Sequence, residues 1–567
     1  MVRPHTHLHP PAPPAAPRLA VSLILVRDAP ADKADDGGIE VLLSRRSPAA
    51  RFVPGAYVFP GGSVDAQDAR ALAGADARSD QSAQDLTLAH AAVRESLEEV
   101  GILLARTAEG AWVSSAQIAA HIDRHQPLAP QIAARGWRLA LDAVFPFGHW
   151  TTDRDYPIRF DVPFLIASAP QGQQAEADGV EQFDPLWIRP AEALRRHADG
   201  QLALVYPTVR SLRRLAGFDS AEALLAACAR GPVMPPSCPR AGLVQGREER
   251  FMEHELPFGE LALVCPDGQL AHELAWQSEQ PVALLRHLRR LTAPNAGVMT
   301  GPGTNTYLIG EPATGYLVLD PGPDDAAHLQ RIMAATNGDI RHIVCTHSHP
   351  DHSPGARPLQ ALVETTRMSV PPITGMASRP TARADSRFTP DRELASGDEL
   401  QLHGQAHGQP LGHTLLAVHT PGHAANHLCF LLKEDALLFS GDHILGGTTT
   451  VISLPDGNMQ DYLDSLTRLD TLCETHGVEF VLPAHGHVLH GARQVIAQLR
   501  SHRLRREARV LAAVQQAPQG AVDDWLALAY ADTPRAMWPV ARHSLLAHLQ
   551  RLATLHPQFG IERVLSA

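Results

Sequence analysis

Apolar and polar positions change rhythm along this chain, and the changes mark its elements. "LAVSLILV" at 19–26 and "EVLLSRR" at 40–46 flank the polar stretch "DAPADKADDGG", the pattern of two strands joined by a long hairpin connection. At 88–102, "LAHAAVRESLEEVGI" switches to helical spacing. Ala89, Val93, Leu97 and Val100 recur at steps of four, four and three to make one buried stripe, and Gly101 is placed to end the helix in a left-handed cap. Strand–helix alternation runs from 19 to about 220 and resumes near 285, at "LLRHLRRLTAPN". Between them, "ARGPVMPPSCPRAGLVQGREERF" is rich in proline and glycine and leads into apolar stretches such as "LALVC" that read as strands. Beyond 500 the pattern is helical, with Leu545, Leu549 and Leu552 on one face.

These shifts predict a tail over 1–17, too rich in proline and alanine to build a core and therefore disordered, a domain over 18–220, a connector over 221–284, a domain over 285–499 and a small helical domain over 500–567. A length of 567 residues, 44% of them hydrophobic, fits several cores rather than one. The formal charge of −12 gives no overall electrostatic reason for nucleic-acid binding. Only Lys33 and Lys433 are lysines among 49 basic residues, so a cluster of arginines carries less meaning here than usual. The six cysteines form no CxxC pair, as expected of buried thiols in a reducing cytoplasm. No apolar run approaches the ~20 residues that span a bilayer, so no membrane association is expected. The oligomeric state is left open.

Glu95, Glu98 and Glu99 share a helix face away from the apolar stripe. Carboxylates at such spacing repel one another unless water, an arginine or a divalent cation compensates, and Mg²⁺ or Mn²⁺ is the natural oxygen-ligated choice. "YVFPGGSVD" followed by "RESLEEVGI" resembles the Nudix hydrolase box. That resemblance implies a pairing role for Arg94, metal ligation by Glu98 and Glu99, and help from Glu95 in activating water; Gly62 would begin the box and Asp68 would be its first acidic residue. The stretch from Gly62 to Arg94 is longer than that box by an insertion of about 18 residues, and Ser96 fills a usually apolar position. "LLSRRSPAARFVPGAYVFPGG" resembles the signature of coenzyme A diphosphatases, with Ser44 and Tyr57 as departures, and the later "HWTTDRDYPIRFDVPF" extends the likeness. The implied substrates are coenzyme A or other nucleoside diphosphate derivatives.

In the second half, four apolar stretches each end in metal-capable side chains: "RHIVCTHSHPDH", "LLAVHTPGH", "ALLFSGD" and "EFVLPAH". A lone histidine is an ordinary core or surface residue, but a recurrence at four strand ends points to one site. "THSHPDH", "TPGH", "SGD" and "PAHG", in that order, resemble the metallo-β-lactamase fold. The resemblance implies two Zn²⁺ ions, one held by His347, His349 and His423, the other by Asp351, His352 and His485, with Asp442 between them. Glu95 in the first half and Asp351 here are the residues expected to take part in catalysis. Two Zn²⁺ and two carboxylates leave about +2, a site that welcomes anions. Among the histidines nearby (His403, His407, His413, His419, His427, His443 and His487), His443 and His487 adjoin ligand segments and are the ones expected to touch substrate.

True dizinc β-lactamases generally have cysteine at the position of Asp442, and the domain's only lysine is Lys433, so antibiotic hydrolysis is not expected. "MTGPGTNTYLIG", "LVLDPGP" and the helical tail resemble the β-lactamase-like protein 2 branch, which implies a winged-helix-like C-terminus and either ribonuclease or thioesterase chemistry. Arg503, Arg505, Arg506 and Arg509 in "HRLRREAR" would serve RNA as a phosphate grip, or are a solvated helix face. The fold expected is therefore multidomain α/β and α+β: a Nudix α/β/α sandwich, a metallo-β-lactamase αββα sandwich and a winged-helix-like domain. The function expected is a bifunctional metal-dependent hydrolase of anionic small molecules, a diphosphatase joined to a dizinc thioesterase or esterase. The rival is a zinc-dependent ribonuclease whose Nudix half is a nucleotide-binding or regulatory module.

Overall fold

The computed structural model describes residues 2–30, 38–50, 52–70, 74–406 and 409–565; His407 lies outside them. The chain forms two compact units, one over Pro13–Arg240 and the other over Met1–Ala12 with Ala241–Ala567.

The first unit is built on a mixed sheet whose strands run in the order Pro236–Ser237, Phe145–Thr151, Phe160–Ser168, Ser22–Asp28, Ile39–Arg46, Tyr57–Val58. Ser22–Asp28 pairs parallel to Phe160–Ser168 and antiparallel to Ile39–Arg46, the expected hairpin partner. Leu23, Ile24, Leu25 and Val26 have no exposed surface, because this central strand is covered on both faces. The helix Ala83–Val100 lays Ala89, Val93, Leu97 and Val100 onto Leu23, Leu25 and Leu42. Its start is fixed by a Ser82–Asp85 capping box and its end by Gly101 in the left-handed conformation.

In the second unit two sheets face each other. One runs Val282–Leu285, Leu288–Thr292, Asn305–Glu311, Gly315–Leu319, Ile340–Val344, Ile373–Gly375, Arg392–Glu393; the other runs Glu399–Ala406, Gln409–His419, Leu428–Leu432, Leu437–Gly441, Phe480–Pro483, Leu489–His490. Their shared core includes Tyr307, Leu317, Phe430 and Phe439, with the Tyr307 and Phe439 rings 5.0 Å apart. Helices Ala326–Thr336 and Ala356–Arg367 cover the outer face of the first sheet, and Met459–His476 that of the second, giving αββα layers. Helices Ala492–Gln516, Val522–Ala529 and Trp538–Leu555 form a further core around Trp525, Leu545 and Leu549. Among the described residues no helix is long and apolar enough to cross a membrane.

Three expectations are corrected. The 221–284 connector does not exist as a separate piece: Ala221–Cys228 is a helix of the first unit, and the chain from Ala241 onward is part of the second. "LALVC" is not a strand but the end of a helix, Pro257–Val264, in which Leu261 to Val264 are all buried. A short run that is apolar on every side has no period to tell the two apart. The start of the 1–17 tail is also ordered. Pro4–Thr6 forms a 3-10 turn, Val2 and Leu8 join the core of the second unit, and Arg3 donates to the buried Asp435 at 2.7 Å. Prolines restrict the unfolded chain, so two apolar anchors and one ion pair suffice to fix such a segment.

Arg3→Ala should therefore lower the unfolding free energy by about 1–3 kcal/mol, since it leaves part of the Asp435 carboxylate unpaired. Urea denaturation of the full chain measures this; an unchanged midpoint would mean that the segment adds no stability.

Candidate metal centre

The site lies where strands of both sheets end. Gln409–His419, Leu437–Gly441 and Phe480–Pro483 point the same way through their pairings, so the residues that follow them emerge at one edge of the second sheet. Those residues are His423, Asp442 and His485; Ile340–Val344 of the first sheet leads into His347, His349, Asp351 and His352. The turn after His485 is tight. Gly486 has a φ of +85°, and a Cβ there would sit 1.9 Å from the Gly446 carbonyl oxygen, so only glycine fits.

The seven residues fall into two groups, His347, His349 and His423 in one and Asp351, His352, Asp442 and His485 in the other, and within each group the donor atoms lie within 4.8 Å of one another. His349 Nδ1 is 3.0 Å from His347 Nε2 and 2.9 Å from His423 Nε2. In the second group His485 Nε2 is 3.2 Å from both Asp351 and Asp442, and His352 Nε2 is 3.4 Å from each. Asp442 faces both groups: Oδ1 is turned to His352 and His485, while Oδ2 is 3.5 Å from His423 Nε2.

The outward nitrogens fix the rings. His423 Nδ1 donates to the Val451 carbonyl at 2.8 Å and His485 Nδ1 to the Gly303 carbonyl at 3.2 Å, so each carries a hydrogen there and turns its Nε2 inward. His352 Nδ1 donates to Asp320 Oδ2 at 3.0 Å, and His347 Nδ1 to the Thr346 hydroxyl, which itself donates to Asp320. Inside, His352 Nε2, His485 Nε2 and Asp442 Oδ1 are buried with no hydrogen-bond partner. Burial, then the neighbouring imidazoles, pushes the His347 pKa well below its ordinary value and that of His349 down to about 3. In the other group burial opposes protonation, but Asp351, Asp442 and Asp320 overcome it at His352, and Asp442 with Asp351 raises His485 to about 10. Converging neutral nitrogens beside a carboxylate-rich cluster fit two cations with mixed nitrogen and oxygen ligands, as zinc takes.

Over the pair lies a cavity of about 540 Å³, lined at one end by His349, Asp351, His423 and Asp442. His443 and His487 do not line it. His443 is fully buried against the Tyr462 ring, 4.4 Å away, and His487 bonds through Nδ1 to Glu260 and lies tilted against the Trp276 ring at 4.6 Å. His427 receives the Asp442 N–H at 3.1 Å, His413 stacks on His287, His419 bonds to the Ala425 carbonyl and His403 to Gln401. Sequence reasoning missed Asp320, although it ends a strand, Gly315–Leu319, that runs parallel to Ile340–Val344. Its place at a strand end was the signal. It also missed Glu260, fully buried between Arg290, His272 and His487, because the apolar run around it was read as a strand.

In the first unit Arg94 compensates two carboxylates of the trio, Glu95 and Glu98. It is 3.0 Å from Asp68, 2.9 Å from Glu95 and 3.0 Å from Glu98, and it also donates to the Ser63 carbonyl. Glu99 is turned away, accepting from Gly61 N–H at 2.8 Å and from Gln182 at 2.9 Å. The Glu95 carboxylate packs against Gly62, where a Cβ would meet it at 2.5 Å. Burial raises Glu95 to about 7 and Glu99 to about 8. Ser96 is fully buried with its hydroxyl unpartnered.

The model of the metallo-beta-lactamase superfamily matches residues 299–485, and that of the beta-lactamase associated winged helix domain matches 522–555. A beta-lactamase-like protein 2 homolog from Caenorhabditis elegans is 30% identical over 267 residues, 46% of this chain and 83% of that protein. The chain belongs to the metallo-β-lactamase superfamily. An atrochrysone carboxyl ACP thioesterase from Aspergillus chevalieri is 33% identical over 41% of this chain and 66% of its own length. A solved NUDIX hydrolase from Alicyclobacillus acidocaldarius is 30% identical, with 38% of this chain and 99% of that one covered at a TM-score of 0.33. The metallo-β-lactamase fold explains the two facing sheets, and the winged-helix match falls on the C-terminal helices.

Asp320→Asn should weaken zinc binding by about 10–100-fold, because it removes the charged acceptor that orients His352 and Thr346. Competition with a chromogenic chelator measures it; affinity equal to that of the unaltered protein would show that Asp320 does not set the His352 ring.

Proposed function

We propose that the second unit is a dizinc hydrolase of thioesters and related anionic esters, and that the first is a Nudix-type diphosphatase acting on coenzyme A or a similar nucleoside diphosphate derivative. The observation that carries the first part is Asp442, whose two oxygens face the two groups separately. His347, His349 and His423 would hold one zinc ion, Asp351, His352 and His485 the other, and Asp442 both. Bound there, the ions would supply Lewis acidity and an activated water at neutral pH. Asp351 lines the cavity and would help to orient the attacking water. The cavity walls would position the substrate carbonyl against the metal centre.

Thioesters are favoured by the cavity, which joins apolar walls at Leu445, Leu454 and Val540 to the polar site, and by the thioesterase names among the relatives. The ribonuclease reading has less support. Arg506 and Arg509 both pair with Asp532, Arg505 bonds to Ser501, and Arg503 is buried, so the run is no exposed row of free cations.

For the first unit, the support is the helix face. Glu95 and Glu99 are carboxylates that burial makes reluctant to ionise, and Glu98 is partly open. Mg²⁺ or Mn²⁺ at Glu98 and Glu99 would favour their charged forms and neutralise a diphosphate. Arg94 and Asp68 hold the helix in place, and Glu95 would accept the proton of the attacking water.

The test is a panel of acyl-coenzyme A, other thioesters, coenzyme A diphosphates and single-stranded RNA on metal-loaded full-length protein. Asp351→Ala or His423→Ala should reduce thiol release by at least about 10³-fold and spare diphosphate cleavage, whereas Glu98→Gln with Glu99→Gln should do the reverse. Salt-sensitive RNA cleavage without thiol release would replace the thioester reading.

A further inference from the structure

The cavity does not end at the metal centre. It continues to the C-terminal helices, where His502, Arg503, Arg506, Tyr530 and His543 line it. His502, Arg503 and Arg506 belong to Ala492–Gln516, and the spacing of three places the two arginines on one face.

Arg503 is 3% exposed. Its guanidinium donates to the Thr450 carbonyl and lies 5.1 Å from the centre of the Tyr462 ring, its Nε has no partner, and among the described residues no carboxylate pairs with it. Its neighbours differ: Arg506 and Arg509 share Asp532, and Arg551 pairs with Glu507. Two other groups on this wall are also unsatisfied. The Tyr530 hydroxyl is buried without a partner, on a residue 6% exposed, and His502 Nδ1 is buried without one. A buried cation without a counter-ion is costly, and so is each buried donor left unpaired. On residues that line the same cavity, and with His502 in the tautomer that carries its hydrogen on Nδ1, these three groups have a common solution, an oxyanion delivered by the ligand.

We propose that Arg503, with the Tyr530 hydroxyl and His502, forms an oxyanion-binding subsite for a carboxylate or phosphate carried by the substrate away from the scissile bond. It deepens the thioester reading and rests on it for the identity of that bond. Arg503 also reaches the metal centre through Thr450, whose hydroxyl donates to the Asp442 carbonyl at 2.7 Å, while the adjacent Val451 carbonyl holds His423. A purely structural arginine there would alter turnover of all substrates alike. A subsite instead discriminates between charged and neutral ones.

Two substrate pairs separate the sources of the anion, on zinc-loaded full-length protein. Glutaryl- against valeryl-N-acetylcysteamine places a carboxylate on the acyl side, and valeryl-phosphopantetheine against valeryl-pantetheine places a phosphate on the thiol side. The unaltered protein should prefer the charged member of at least one pair by about tenfold or more in kcat/KM, and Arg503→Met should bring that ratio close to unity. The pair that responds names the source. An absence of charge preference in both pairs, or a preference that survives Arg503→Met, overturns the subsite. Should no thioester be cleaved, the thioester reading fails, and calorimetry with glutarate and with inorganic phosphate judges the subsite alone: binding weakened about tenfold or more by Arg503→Met supports it, and unchanged binding overturns it. If that variant does not fold, Tyr530→Phe, which deletes only the unpartnered hydroxyl, takes its place; a loss of about threefold supports the subsite and no loss overturns it.

Discussion

Five imidazoles and two carboxylates are packed at one end of two stacked sheets, and the structure there depends on satisfying them. Asp442 is central to that balance, since it is buried, faces three of the histidines and begins where Leu437–Gly441 ends. Removing so many polar groups from water is unfavourable unless charge and hydrogen bonds are matched. The outward nitrogens are matched by the protein, through Asp320, Thr346, Val451 and Gly303. The inward ones are left for cations.

That arrangement sets what surrounds it. Strands of shared direction are needed to bring distant ligands to one edge, and the apolar core between the sheets holds those strands in register. The turns are made from glycine where backbones approach too closely for a Cβ, as at Gly486. Thr450 and Val451 then tie the site to the helix Ala492–Gln516 through Arg503, so the C-terminal helices form part of the cavity wall.

Much of this was legible in the sequence because the signal was local. The metal-capable residues each stood at the end of an apolar strand, and among the described residues the two groups that could hold a metal ion are made of those seven. The helix stripe and its Gly101 cap were equally readable, since a period and a stop residue suffice. What failed depended on distant partners. Arg3 looked like part of a disordered tail because Asp435 is 432 positions away. Glu260 and its helix were hidden in an apolar run without a period, and His487, taken for a substrate contact, is engaged by that same Glu260. The arginine run was read as one electrostatic feature, yet Asp532 neutralises two of its members and a third is buried. Charge counts along a chain do not reveal which charges face each other.

The central claim is that two metal ions share Asp442. Anomalous diffraction at the zinc edge, from crystals of zinc-loaded protein, tests it most directly. Two peaks per chain, about 3.5–4 Å apart, with Asp442 bonded to both, are the expected result. A single peak under saturating zinc, or two peaks with Asp442 bonded to only one, would contradict it.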